Sequence, residues 1–255
     1  MSFQEELSEV EDAFSNNLDF VQDLLEFDQT ILDLCLTHLN ELEDDLKDHG
    51  FDNPSFSVKN TIKALNKIRE HGSTQIKYRT IANQCLVLTV SHFASAIHDL
   101  FKICINYAFK NEKSKKLEQE EFKFSVRELA DLGNEIDQRI GEIISDKNSI
   151  SFQDMGSISR NFRDYFGHEI EKTKDVHNII FGQACRHAIV HSGEKVDRAL
   201  LGQIKAADPN DLELELKEGD VIYFDKSQIN IVMNSMQNYL KNLILDMKAH
   251  WNIHN

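Results

Sequence analysis

The sequence predicts an all-α helical bundle of about five to seven helices with one small β-hairpin near residues 212–224. Three observations carry this expectation. The 255 residues include only 2 prolines and 10 glycines, too few chain punctuators for a many-turned β fold. Apolar residues recur at spacings of three, four and seven over long stretches, the period of helices with one buried face. Period-two alternation is confined to "LELELKEGDVIYF" at 212–224, around Glu218-Gly219-Asp220.

Taken in order, the elements justify themselves locally. Leu7, Val10, Phe14, Val21, Leu25, Ile31, Leu39, Leu42 and Leu46 predict a helix over 3–48, ended by Gly50 as a C-cap with Pro54 beyond. A short helix over 57–72 stacks Lys59, Lys63 and Lys67 at i, i+4 and i+8. A third, over about 76–110, carries Ile81, Cys85, Leu88, Phe93, Ile97, Phe101 and Ile105 and is apolar enough to be central. "KNEKSKKLEQEE" is a solvated linker. "SVRE", Ser125 to Glu128, is a capping box that opens a helix to about Ser145, with Val126, Leu129, Ile136, Ile140 and Ile143 on one side. After the loop "DKNSISFQDMGS", Ser157 to Phe166 forms a short helix closed by Gly167. Asp175 caps the next helix, which runs to His191 and stops near Ser192-Gly193. A last helix, capped by Asp225 or Ser227, reaches about His250 with Ile229, Met233, Met236, Leu240, Ile244 and Met247 inward. The division this suggests is an acidic N-terminal helix, 1–50, packed on a helical domain, 51–255, whose motif helix is 175–191.

The net charge of −15 is segregated. Residues 1–50 hold 15 Asp/Glu and one Lys; residues 51–116 hold 4 acids and 11 bases; the remainder holds 24 acids and 16 bases. Whole-chain charge therefore says little about a local anion site. Lys59, Lys63, Lys67 and Arg79, with Arg69 and Lys77 nearby, are either a solvated face or a track for an RNA backbone. The acidic helix is either a bundle helix with a solvated side or a negative shield over a basic surface. Cys35, Cys85, Cys104 and Cys185 lack metal-ligand spacing and read as small hydrophobes in a reducing compartment. The acidic start is unlike a signal peptide, and no apolar run approaches the roughly 20 residues that span a bilayer. The expectation is a cytoplasmic chain with no membrane partner.

"CRHAIVHSGEKVD" holds the chemistry. Its helix is apolar on most faces, yet carries Arg186, His187 and His191 in six residues. Charge inside a core helix is costly unless paired, and arginine cannot shed its proton. Arg186 must therefore meet a carboxylate, reach water or face a cavity that binds an anion. At about 100° per residue, Arg186 and His191 lie roughly 140° apart, so they converge on one ligand only near the helix end or beside a second copy. His191 sits at that end, where unpaired carbonyls favour imidazolium. His187 and His191 share a face at i, i+4 and would suit a zinc ion, but no third ligand follows from spacing; His168 and His177 are only candidates.

An arginine, a polar residue, three mostly apolar residues and a histidine, closing a helix before a Gly-containing turn, resemble the signature of the HEPN superfamily. Arg186 matches the family arginine, His187 its polar second position and His191 its histidine. The resemblance extends more loosely over about 76–250: "LVLTVSHFASAIHDLF" looks like the helix before the motif, and "ISFQDMGSISRNFRDYFG" and "KEGDVIYFDKSQI" look like segments of one ribonuclease-like branch. It implies a helical, often dimeric fold and a metal-independent endoribonuclease of bacterial toxin or antiphage type, with no cofactor. RNA would be the substrate, and a homodimer, with an antitoxin or regulatory protein as further partner, would be the assembly. Arg186 would clamp the scissile phosphate, His191 transfer protons and His187 orient or assist. There are two departures. The second position is more often Asn, and the Glu often found on the preceding helix falls near Ala94 here; Ser91, His92 and Asp99 are unranked substitutes. The rival expectation is a HEPN-like module that dimerises or binds RNA or protein without cutting.

Overall fold

A computed structural model describes residues 2–50, 55–133, 136–147, 150–207, 209–212 and 214–253. Among them the chain forms nine α-helices and one 3-10 turn: α1 Phe3–Asp48, α2 Ser55–Glu70, α3 Gly72–Lys110, the 3-10 turn Leu117–Gln119, α4 Val126–Leu132, α5 Ile136–Lys147, α6 Met155–Phe166, α7 Lys174–His191, α8 Arg198–Ala206 and α9 Lys226–His250. The all-α reading holds. The helix number is higher than expected because the segment opened by Ser125 divides into α4 and α5, and because α8, capped by Asp197 through Leu200 N–H at 2.8 Å, follows the motif. Ser125 and Glu128 do form the expected capping box, but Val126 is 85% exposed rather than inward.

Local signals place most helix ends. Ser2 and Glu5 form a capping box on α1, and Gly50 takes the left-handed conformation at its end; Pro54 lies outside the described residues. Gly167, at φ 70°, closes α6 as its sequence position predicts. α9 uses Asp225, not Ser227, as its cap, with Gln228 completing the box. α7 starts at Lys174, with Thr173 rather than Asp175 as its cap, and Asp175 sits in the first turn where a carboxylate favours the helix dipole.

α3 is the axis of the structure. Cys85, Leu86, Phe93, Ile97, Leu100, Phe101, Cys104 and Ile105 are fully buried on it, and α1, α5, α7 and α9 pack around it. The N-terminal half of α1 adds Leu7, Val10, Phe14, Leu18 and Val21 to the same core. By length and composition alone Ile76–Lys110 is long and apolar enough to cross a bilayer, with a mean hydropathy of 1.2 in its most apolar window. Half of that window is buried in the fold. A central bundle helix meets apolar neighbours on most sides, so its composition converges on that of a span.

Among the described residues no β-hairpin forms. Among the described residues of 212–224 the chain is extended and turns at Gly219 (φ 90°), but its two arms do not pair with each other. Its partner is the segment just after α7: Lys195 bridges Val221, Val196 N–H donates to Asp220 O at 2.9 Å, and Ile222 N–H donates to Glu194 O at 2.8 Å. The buried Asn83 of α3 holds the other edge, donating to Ile222 O at 2.8 Å and accepting from Phe224 N–H at 3.3 Å. Period-two alternation reports a half-buried extended segment, and Leu212, Ile222 and Phe224 are indeed buried; it does not name the partner.

Two half-buried histidines couple this packing to pH. Burial, and then Lys102, hold the pKa of His98 below the usual range against Asp99 and Asp146; burial, and then His250, do the same for His168 against Asp246 and Glu169. A group whose folded pKa is depressed binds more protons when unfolded, so stability rises with pH and is lost on acidification through the ordinary histidine value near 6.5. Urea unfolding midpoints are expected to fall between pH 7.5 and about 5.5, and replacing His98 with Phe, which extends its stack on Phe152, should flatten that slope. A slope unchanged by the replacement would assign the loss elsewhere.

Candidate active site

α7 is packed by α3, α8 and α9, so most of its circumference is spent on core: Val176, Ile179, Phe181, Cys185 and Ala188 are buried. At Gly182 the α9 side chain of Val232 approaches so closely that an added Cβ would lie 3.0 Å from it. Arg186 escapes this packing on the side facing α6. It is half-buried and lines a cleft of about 620 Å³ with His187. The walls come from four elements: Ser91, Ala94 and Ser95 of α3, Asp154 and Gly156 at the start of α6, Gln183 of α7, and Gln203 of α8.

Arg186 Nε is buried and has no hydrogen-bond partner, and among the described residues no carboxylate pairs with the guanidinium. The reading of Arg186 as half of a core ion pair is therefore not what the fold builds. Gln183 behaves similarly. Its Oε1 accepts from Met155 N–H at 2.9 Å, which ties α7 to the first turn of α6, while its buried Nε2 is without a partner. Both residues line the cleft, and each carries a buried donor without a partner.

His191 ends α7, as its sequence position predicts, with Ser192 as the C-cap and Gly193 and Glu194 in the left-handed region beyond. It is exposed and does not line the cleft. His187 joins the two: it lines the cleft, and its ring centroid is 4.7 Å from that of His191, the planes tilted by 48°. Arg186, His187 and His191 therefore run as a series from cleft wall to surface.

Ala94 does line the cleft, so the position of the expected glutamate faces the site without a carboxylate. Of the three substitutes only Ser91 lines it, with its hydroxyl donating back to Val87 O at 2.7 Å; Asp99 instead pairs with Lys102 at 2.6 Å in a different depression. The carboxylate in the cleft is one the sequence reading passed over. Asp154 caps α6, its oxygens accepting from Ser157 N–H and Ser157 Oγ, each at 2.8 Å. The signal was present as D-x-x-S before an amphipathic helix, but only the fold brings that cap beside Arg186.

The basic residues proposed as an RNA track lie elsewhere. Lys59 pairs with Glu43 of α1 at 3.6 Å. Lys63 and Lys67 line a shallow depression with Glu70 and His71. Arg79 stacks over Tyr223, 4.8 Å from its ring centre, in a second cleft between α1, α3 and the 214–228 region. None of the four lines the cleft of Arg186. The acids of α1 pair with part of this basic set, for Glu43 meets Lys59 at 3.6 Å and Asp33 meets Arg69 at 3.4 Å. His168 faces Asp246 at 3.8 Å and His177 is bonded to Pro209 O at 3.0 Å, so neither joins His187 and His191; among the described residues no three His, Cys, Asp or Glu side chains cluster as a metal site.

No family model, curated protein or solved structure matches the chain.

Proposed function

We propose that this chain is an endoribonuclease that works without a metal and uses Arg186, His187 and His191. The observation that carries the reading is a half-buried arginine, Arg186, that no carboxylate pairs, lining a cleft with His187, whose ring lies 4.7 Å from that of His191 one turn on. RNA supplies its own nucleophile. A histidine removes the proton from the 2′-hydroxyl, the O2′–P bond forms, the P–O5′ bond breaks, and a second imidazolium returns a proton to the departing O5′. The Arg186 fork matches two phosphate oxygens and offsets the charge that builds on them. His187, between the other two, orients the imidazole of His191.

One chain offers one such series, and its His191 stands outside the cleft. Two copies related by a two-fold axis near α7 would supply two arginines and two terminal histidines to one groove. The HEPN-like resemblance points the same way, toward a homodimeric toxin or defence nuclease with a regulatory protein partner. The distance of His191 from the cleft is also what favours the second reading, a HEPN-like module that binds RNA or protein without cutting it.

Purified protein incubated with total RNA in EDTA is expected to yield fragments ending in 2′,3′-cyclic phosphate or its opened form, while Arg186→Ala yields none. Activity lost to EDTA and restored by Zn²⁺ would instead assign His187 and His191 to a metal. Retained RNA binding with no cleavage at all would favour the non-cutting module. Mixing Arg186→Ala with His191→Ala chains tests sharing: if each site takes Arg186 from one chain and His191 from the other, mixed dimers regain one intact site and with it activity, and a site within one chain does not.

A further inference from the structure

We infer that the outward face of α1 is a docking surface for a basic amphipathic helix of a partner protein, independently of the ribonuclease reading. Phe20, Leu24, Phe27, Ile31, Leu34 and Leu42 are 71%, 46%, 63%, 48%, 50% and 45% exposed. They are not scattered. The spacings are four, three, four, three and eight residues, so at about 100° per residue all six fall within an arc of roughly 80°. That arc is centred about 120° around the helix from the one that buries Leu7, Phe14, Leu18 and Val21. Among the described residues α1 packs on α2, α3 and α9, and these leave each of the six residues at least 45% exposed.

A helix needs one apolar stripe to join a bundle, and its remaining face is ordinarily polar. A second contiguous stripe of large side chains is the kind of patch that marks an interface. Its alternation of four and three is the 3.5-residue seam that accepts knobs from another helix, rather than a flat patch suited to any surface. From Phe20 to Leu34 the seam extends about 21 Å, the length of two heptads, before His38 and Glu41 interrupt it.

Charge selects the occupant. Asp19 and Asp23 are exposed and flank the seam on the side away from the core, on a segment with 15 acids and one lysine. A second copy of α1 would set these carboxylates against their like, and like charges beside a seam oppose pairing. A helix carrying lysine or arginine beside its apolar positions meets both features.

The test uses a labelled synthetic peptide of about 24 residues, with leucine at the seam positions and lysine or arginine beside them. A second peptide differs only in having glutamate at the flanks. Fluorescence anisotropy against the whole protein is expected to show the basic peptide binding about tenfold or more tighter than the acidic one. It should weaken about tenfold or more against a Phe27→Lys/Ile31→Lys variant of unchanged thermal midpoint. Both side chains are exposed, so the variant should fold; Leu24→Gln/Leu34→Gln is the second test pair should it not. Binding that ignores both pairs, or no binding, overturns the proposal. Sedimentation of the unmodified protein as a self-associated species that these substitutions dissociate also overturns it and makes a second copy the occupant.

Discussion

Replacing His191 by alanine is expected to lower RNA cleavage by about 10²–10⁴-fold, the usual worth of a positioned proton-transfer group. The residue is the last of α7, exposed, and outside the packed core, so the variant should unfold at the temperature of the parent protein. That separation makes the outcome informative. His187→Ala should cost less, because in the proposed site it orients a neighbour, and its loss should shift the pH profile of cleavage rather than remove one limb of it. The measurement is initial cleavage rate against pH for the parent and the two variants, with unfolding midpoints alongside. Full activity in His191→Ala would remove proton transfer from this histidine and with it the proposed mechanism.

The second large effect concerns the wall of the cleft. Phe101→Ala is expected to destabilise the protein by roughly 3–5 kcal/mol. Phe101 is fully buried on α3, and its ring meets those of Phe152, Phe162, Tyr165 and Phe166 at centroid distances of 5.1, 5.8, 5.4 and 5.5 Å. Three of those rings belong to α6 and the fourth precedes it, so Phe101 is the anchor by which α3 holds that helix. The start of α6 carries Asp154 and the Met155 amide bonded to Gln183, both beside the cleft. Loss of the anchor should therefore loosen the cleft as well as the core. Urea denaturation gives the first quantity, and hydrogen exchange at residues 155–158 the second. A loss below about 1 kcal/mol would mean that the aromatic cluster closes around the gap.

These expectations draw on different depths of information. Helices α1, α3, α7 and α9 were legible in the chain because each repeats its apolar residues at the helical period over four turns or more. The C-terminal glycines at 50 and 167 and the end of α7 at His191 were legible because capping is local chemistry. The motif was legible for the same reason: an always-charged arginine in an apolar helix is an anomaly visible without any neighbour. The heptad seam of α1 was present in the letters too, but a single list of apolar residues on that helix mixes two faces. Ile31 and Leu42 were grouped with Leu7 and Phe14, and burial separates them.

What the sequence by itself determined is local: helix, cap, period, and the presence of Arg186, His187 and His191 at one helix end. Only the tertiary structure decided the rest. It paired the 214–224 region with the turn after α7 instead of with itself, because alternation defines a half-buried extended segment but leaves its hydrogen-bond partner open. It brought the Asp154 cap into the cleft of Arg186 from 32 residues away, and it left Lys63 and Lys67 on a different surface. Such juxtapositions depend on how helices cross, and crossing is set by the packing of side chains distant in the chain, which no local pattern encodes.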